Sequence, residues 1–166
     1  LGPLAHAFYG NPWRAMTVVG VTGTNGKTTV TSLINAVMAH AGRRTALIGT
    51  LGTFWNGKYC DEHITTPDAL TLARTFAQLE RDGVDFVAME VSSHGIHQAR
   101  VAGIPFHVGV LTNVTQDHLD YHGDMASYVG VKRSMFFDYV SPTANSVSCF
   151  NLEDPVGEEL TFSYPE

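Results

Sequence analysis

Val18-Val19-Gly20-Val21-Thr22-Gly23-Thr24-Asn25-Gly26-Lys27-Thr28-Thr29 decides how this chain is read. A β-branched, apolar run ends in a glycine-containing loop. Lys-Thr-Thr follows, and then a helical pattern from Val30 to Ala41. Strand, glycine-rich turn and helix N-terminus, in that order, make a phosphate-binding layout. Gly23 and Gly26 let backbone N–H groups close on an anion with no Cβ in the way. The helix start adds unpaired donors and a partial positive charge. In such a loop Lys27 reaches the terminal phosphates and the Thr28 hydroxyl ligates Mg²⁺. The strict pattern G-x-x-x-x-G-K-[ST] is not met, because Val21 stands five residues before Gly26. An ordinary glycine-rich turn is the plain alternative, but such turns rarely carry Gly-Lys-Thr at the helix start.

Outward from the loop, strands and helices alternate. Thr17 to Val21 reads as a strand, and the helix after the loop runs to about Ala41, with Gly42 closing it. Thr45 to Gly49 is a second strand. Thr50 to Thr66 is a loop or a small hairpin around Asn56-Gly57. Thr66-Pro67-Asp68 predicts a helix start, with Thr66 as N-cap and Pro67 in the first turn, and the helix extends to about Arg81. Phe86 to Val91 is a buried-type strand carrying Glu90 near its end. A short helix over Ile96 to Val101, a strand over Phe106 to Leu111, a helix over Asp124 to Tyr139 and a strand over Ser146 to Phe150 complete the pattern. Leu1 to Ala15, with Gly2, Pro3, Gly10 and Pro12, reads as a linker or lead-in segment. The alternation predicts an α/β fold, a doubly wound, mostly parallel sheet. Ligands in such sheets sit beyond the carboxyl ends of the strands. The loop after Val21, Glu90 to His94, and Asn113 to His122 all fall there, which makes them one candidate site.

The 166 residues suit one domain with a substantial core. With 44% apolar and 16% charged residues the chain is of ordinary globular composition. A net charge of −6 with no Lys/Arg cluster argues against a nucleic-acid partner or an anionic membrane surface. An anionic ligand must therefore be held by a few placed groups. Cys60 and Cys149 lie far apart and offer neither CxxC nor a disulfide framework, which fits a reducing cytoplasm. No signal-peptide pattern and no run of membrane-span length occurs, so no membrane insertion is expected. A first residue of Leu rather than Met suggests a piece of something longer.

Several residues outside the loop could carry chemistry. Glu90 at a strand end is either a metal-directed carboxylate or an ordinary exposed glutamate. Asp117-His118-Leu119-Asp120-Tyr121-His122 is dense in metal-capable side chains, and with His94 and His97 it raises a zinc hydrolase. His94-x-x-His97 lacks the Glu and the i, i+4 spacing of a zincin, however, and cysteine ligands are absent. Ser92-Ser93-His94 has no G-x-S-x-G around it, and no Asn-Lys-x-Asp stretch supports a GTPase. Lys132 has Tyr128, Val129, Met135 and Phe136 as its helical neighbours. A lysine in such a stripe either snorkels to water or is buried, with its pKa lowered and a nucleophilic amine exposed to reagents.

Gly20 to Thr29, Thr65-Thr66, Met89-Glu90-Val91-Ser92-Ser93-His94-Gly95 and Thr112-Asn113 through Asp120-Tyr121-His122-Gly123-Asp124-Met125 together resemble the central ATP-binding domain of the Mur ligases. The resemblance covers nearly all of Val18 to Asp154, with four separated motifs in order. It is nearest to the tripeptide-synthetase branch, which adds the third residue of the peptidoglycan stem peptide. Glu-Val-Ser-Ser-His-Gly followed by Gln98-x-Arg100 separates that branch from its relatives. The resemblance implies an ATP-dependent amide ligase. A carboxylate of a UDP-N-acetylmuramoyl-L-alanyl-D-glutamate-type substrate becomes an acyl phosphate, and an amino acid displaces the phosphate. By matching position, Gly23, Thr24, Asn25, Gly26, Lys27, Thr28, Thr29 and Asn113 hold ATP. Thr28 and Glu90 serve one Mg²⁺ and His118 a second. Thr65, Thr66, Ser92, Gln98 and Arg100 hold the UDP-muramoyl-dipeptide, and Lys132 is carbamylated. Lys27, Glu90, His118 and Lys132 are the catalytic set. A Mur-ligase-like module that binds ATP without turnover is the alternative. Residues 1–16 then correspond to a linker or the end of a missing N-terminal domain, and residues 17–166 to an incomplete central domain. The flanking domains of the same enzyme are expected partners, including the amino-acid-binding C-terminal domain.

Overall fold

β1 (Thr17–Thr22) lies at the heart of a seven-stranded sheet, and every residue after Thr17 in it is buried. In the computed structural model, which describes residues 1–61, 64–140 and 146–163, the strand order is β4-β3-β2-β5-β1-β6-β7. The other strands are β2 (Thr45–Gly49), β3 (Gly52–Trp55), β4 (Lys58–Cys60), β5 (Phe86–Glu90), β6 (Val108–Leu111) and β7 (Val147–Phe150). β1 pairs parallel with both β5 and β6, β2 pairs parallel with β5, and β7 with β6. Only the β2–β3–β4 edge is antiparallel, and its hairpin turns at Asn56-Gly57 as the sequence predicts. The register sets Val21 opposite Glu90, so the end of β5 stands beside the start of the glycine loop.

Helices cover both faces because the central strands are apolar on both sides. α2 (Lys27–His40) lays Val30, Ile34 and Met38 on Val19, Val21, Phe86 and Ala88. α3 (Ala69–Arg81) buries Leu72, Phe76 and Leu79 against the opposite face, with Val18, Ile48 and Met89 in the same core. The remaining helices are α1 (Gly2–Phe8), α4 (Ser93–His97), α5 (Leu119–His122), α6 (Met125–Ser134) and α7 (Pro155–Ser163).

Several expectations need correction. Leu1 to Ala15, expected as a linker or lead-in segment, contains α1 and a 3₁₀ turn at Pro12–Ala15. Pro3 sits in the first turn of α1, where a missing N–H removes no helical bond. His6 is fully buried there, its ring edge-on to Phe76 at 5.9 Å. The α3 cap is Asp68, whose carboxylate accepts the N–H groups of Leu70 and Thr71. Thr66 is drawn into the site instead. The short helix is α4, capped by Ser92, and not Ile96 to Val101. The long helix expected over Asp124 to Tyr139 is α6 followed by one π turn, Met135–Tyr139, which buries Met135 and Phe136.

α7 was not foreseen, and Asp154 builds it. Its Oδ1 accepts the N–H groups of Val156 and Gly157, while Oδ2 accepts the Val114 N–H at 2.7 Å. One carboxylate therefore caps a helix and ties it to the loop after β6. Asp154→Ala leaves a buried donor unpaired and removes the cap, for a loss of about 2–4 kcal/mol. Urea denaturation checks this, and an unchanged midpoint would show that the anchor carries no stability.

Candidate active site at the carboxyl ends of the strands

The loop Gly23–Gly26 is held by the segment after β6. Asn113 accepts the Asn25 N–H through Oδ1 (3.0 Å), donates from Nδ2 to the Asn25 carbonyl (3.1 Å) and accepts the Thr24 N–H on its own carbonyl (2.8 Å). Thr112 Oγ1 donates to the same Asn25 carbonyl at 2.6 Å. Gly26 is the N-cap of α2 at φ 83°, a left-handed conformation that glycine adopts without steric cost. No side chain caps α2. The first N–H groups of the helix, from Lys27, Thr28 and Thr29, have no acceptor within the helix and point out of its end. Lys27 folds back so that Nζ donates to the Gly23 and Thr24 carbonyls, both at 2.8 Å. Burial lowers its pKa, while Glu90 and Asp117 oppose that shift.

Glu90 is 1% exposed, which excludes the reading of an ordinary surface glutamate. Its Oε1 accepts from the Thr28 hydroxyl and the Thr50 N–H, each at 3.0 Å, and Oε2 from the Thr50 hydroxyl at 3.2 Å. All of these donors are neutral, and no ion pair to Glu90 occurs among the described residues. Gly49 makes the room, since a Cβ there would overlap Glu90 Oε1. A buried carboxylate with neutral donors only, facing a threonine hydroxyl at a phosphate-type loop, suits a hard divalent cation that keeps most of its waters. Among the described residues no three His, Cys, Asp or Glu side chains converge as ligands of one metal.

Thr65 and Thr66 join the same network. Thr65 Oγ1 is 3.0 Å from Thr50 Oγ1, and the buried Thr66 hydroxyl meets the Glu90 carbonyl, Ser92 Oγ and the Ser92 N–H. Arg100 donates from Nη1 to the Thr66 carbonyl at 2.8 Å and from Nε and Nη2 to Gln98 Oε1. Thr29 is exposed on the first turn of α2. His118 adopts a left-handed conformation (φ 52°) ahead of α5, with Nε2 3.5 Å from Asp117 Oδ2 and its ring edge-on to His94 at 5.0 Å.

Lys132 is 1% exposed, so snorkelling to water is excluded. Its Nζ lies 4.8 Å from the centroid of the Tyr128 ring. Burial first, and then repulsion from Lys27, bring its pKa down to about 7, against an opposing pull from Asp117. Tyr128 is fully buried, and its hydroxyl lies 3.0 Å from Thr24 Oγ1. Thr24 must donate its one proton to the Thr115 carbonyl, so Tyr128 donates to Thr24. The sequence reading counted Tyr128 only as an apolar neighbour of Lys132. It likewise missed Thr50 and Thr112, although each directly follows a strand at the end where ligands gather.

Comparison with known proteins agrees with this geometry. The Mur ligase middle domain family matches across residues 21–163. The chain belongs to that family. It is 47% identical over 161 residues to the UDP-N-acetylmuramoyl-L-alanyl-D-glutamate–2,6-diaminopimelate ligase of Geobacillus thermodenitrificans, covering 93% of this chain and 32% of that protein. The ligase of the same name from Lawsonia intracellularis is 43% identical over 166 residues, covering 100% and 34%. The chain thus spans about a third of the length of the curated relatives it matches. A solved structure of a ligase of that name superposes with a TM-score of 0.81 at 30% identity, covering 98% of this chain and 33% of that one. A folylpolyglutamate synthase of Mycobacterium tuberculosis, solved with ADP and AMPPCP, shares the fold (TM-score 0.75, 22% identity, covering 96% and 42%). The fold expected from the sequence is therefore that of a Mur ligase middle domain.

The lysine of this Mur ligase domain gives a pH test. With its folded pKa below its unfolded one, the unfolded chain binds more protons between pH 7 and the ordinary lysine range. The burial cost of Lys132 is full below pH 7 and fades as pH rises through that window. Lys132→Met removes the charge and keeps the packing. It is expected to stabilise the domain by a few kcal/mol near pH 7 and by progressively less towards pH 10. Denaturant titrations of both proteins across that range check it, and a pH-independent difference would contradict the burial.

Proposed function

We propose that the chain is the nucleotide-binding part of an ATP-dependent ligase. That ligase joins UDP-N-acetylmuramoyl-L-alanyl-D-glutamate to a third amino acid in peptidoglycan synthesis, in the cytoplasm. The names of the relatives favour 2,6-diaminopimelate as that amino acid. Residues 1–16 are read as the end of a preceding domain and residues 17–166 as part of the central one. The flanking domains of the same enzyme would supply the amino-acid site. The observation that carries the reading is the buried Glu90 carboxylate bonded to Thr28 at the mouth of the glycine loop.

Gly23 to Thr29 would enclose the phosphates, with Lys27 exchanging the loop carbonyls for phosphate oxygens and Asn113 bracing the loop from behind. Thr28 and Glu90 would hold one Mg²⁺, and His118 with carbamylated Lys132 a second. Bound there, Mg²⁺ supplies positive charge against the transferring phosphoryl group. Thr65, Thr66, Ser92, Gln98 and Arg100 would hold the muramoyl-dipeptide so that its carboxylate oxygen attacks the γ-phosphorus. The bond from that phosphorus to the ADP oxygen breaks and an acyl phosphate forms. The amino group of the incoming residue then attacks the acyl carbon, phosphate leaves with the bonding pair, and the amine gives up a proton.

Lys132 suits carbamylation on chemical grounds. With a pKa of about 7 it holds a large neutral fraction at physiological pH, and its lone pair can attack CO₂ with loss of one N–H proton. The product anion is tolerable in that setting only beside a cation. A module that merely bound ATP would not need this lysine.

In the complete ligase, phosphate release from ATP should require both the muramoyl-dipeptide and the amino acid. Lys132→Ala should lose most of this activity and regain part of it with added short carboxylic acids, which can occupy the vacated carbamate position. Wild-type activity in Lys132→Ala would refute the role of the lysine. Substrate-independent phosphate release would refute the ligase reading.

A further inference from the structure

Tyr121 lies in α5, and neither its hydroxyl nor its ring has a role in the site so far. Its Oη is 3.0 Å from Gln98 Nε2 and 3.0 Å from His97 Nδ1. The Gln98 amide in this cluster can be oriented. Arg100 donates to Gln98 Oε1 from Nε (2.9 Å) and Nη2 (2.6 Å), and a guanidinium has no acceptor. The Gln98 carbonyl oxygen must therefore face Arg100, and its NH₂ must face Tyr121. Tyr121 Oη accepts from Gln98 and makes its second contact with His97 Nδ1. An amide flip of Gln98 would set its NH₂ against the Arg100 donors.

The ring of Tyr121 is held as firmly as its hydroxyl. It lies tilted on His94 at 4.1 Å between centroids, edge-on to His97 at 5.5 Å and edge-on to His122 at 4.8 Å. Beyond Gln98 the network continues through Arg100 Nη1 to the Thr66 carbonyl, and from the Thr66 hydroxyl to the Glu90 carbonyl and Ser92 Oγ. α5 is thereby tied to the end of β5 through a single arginine.

Arg100 is also left with something to offer. Of the five N–H donors of a guanidinium, those on Nε, one on Nη1 and one on Nη2 are bonded. One donor on each Nη remains for a carboxylate or phosphate. No carboxylate pairs with Arg100 among the described residues. A cavity of about 460 Å³ opens beside Gln98 and Arg100, with Ile64 and Ala69 also in its lining.

We infer that Tyr121 is a positioning residue for the anionic acceptor substrate. Through Gln98 it fixes the Arg100 guanidinium so that the free Nη donors face the ligand before the ligand arrives. A flexible arginine loses rotamer freedom when it binds an anion, and one pinned in advance loses less. The effect belongs to binding of the muramoyl-dipeptide, not to binding of ATP, because among the described residues no hydrogen bond joins the phosphate loop to Tyr121, Gln98 or Arg100. The inference rests on the reading of Gln98 and Arg100 as substrate-binding residues.

Tyr121→Phe in the complete ligase keeps the ring and deletes the hydroxyl. It should raise KM for the UDP-muramoyl-dipeptide about three- to tenfold, the size of one hydrogen bond. KM for ATP and the melting temperature should stay unchanged. The same substitution made on top of Gln98→Ala should add little, since the relay is already cut. An unchanged dipeptide KM, an equal rise in both KM values, or a fall in melting temperature that tracks the loss would each overturn the positioning role. Arg100→Lys separates the two readings. If it raises the dipeptide KM while Tyr121→Phe does not, only this inference fails. If Arg100→Lys also leaves that KM unchanged, the substrate site itself has been misassigned.

Discussion

A carboxylate buried between neutral donors is the constraint on which the rest of this structure depends. Hydroxyl and amide donors hold the Glu90 carboxylate in that setting, with no cation paired to it among the described residues. The fold is arranged around keeping it there. β5 runs between β1 and β2, so its end is walled by the glycine loop on one side and by Gly49-Thr50 on the other. Gly49 is small because the carboxylate occupies the space of its Cβ. Thr28, Thr50 and Thr66 bring three hydroxyls to the end of β5. The proposed Mg²⁺ would bind at this carboxylate.

The positive groups obey the same logic from the other side. Lys27 and Lys132 are close enough to repel, and each is partly or fully withdrawn from water. Lys27 turns to the loop carbonyls and Lys132 rests against the face of Tyr128. Tyr128 links the two, with its hydroxyl 3.0 Å from Thr24 Oγ1 in the loop and its ring against the amine. These groups gather around an uncapped helix end, where the proposed phosphates and metal would bind.

Much of this was legible in the sequence because it depends on short, local chemistry. The strand–loop–helix from Val18 to Thr29 announces itself, and the alternation of strands and helices leads to the parallel sheet. The apolar neighbours of Lys132 left snorkelling and burial both open, and the fold buries it. What was illegible depended on partners distant in the chain. Pro3 and Pro12 read as breakers, yet each is tolerated at the first turn of a helical segment. Thr66 and Asp68 are both good caps, and Thr66 lost that role because Glu90 and Ser92 compete for its hydroxyl. The role of Asp154 depends on Val114, a donor 40 residues away in the chain. The hydroxyl of Tyr128 was invisible for the same reason, since Thr24 lies 104 residues away.

The most direct measurement is the Mg²⁺ dependence of ATP binding to the complete ligase, by calorimetry, in wild type and Glu90→Gln. Gln keeps the shape and the hydrogen-bonding oxygen but removes the charge that the buried site holds for a cation. Mg²⁺ should tighten ATP binding about tenfold or more in wild type, on the order of the 1.5–3 kcal/mol of a charged contact, and little in Glu90→Gln. An equal Mg²⁺ enhancement in both proteins would contradict the account, because the carboxylate around which the strands are arranged would then hold no metal.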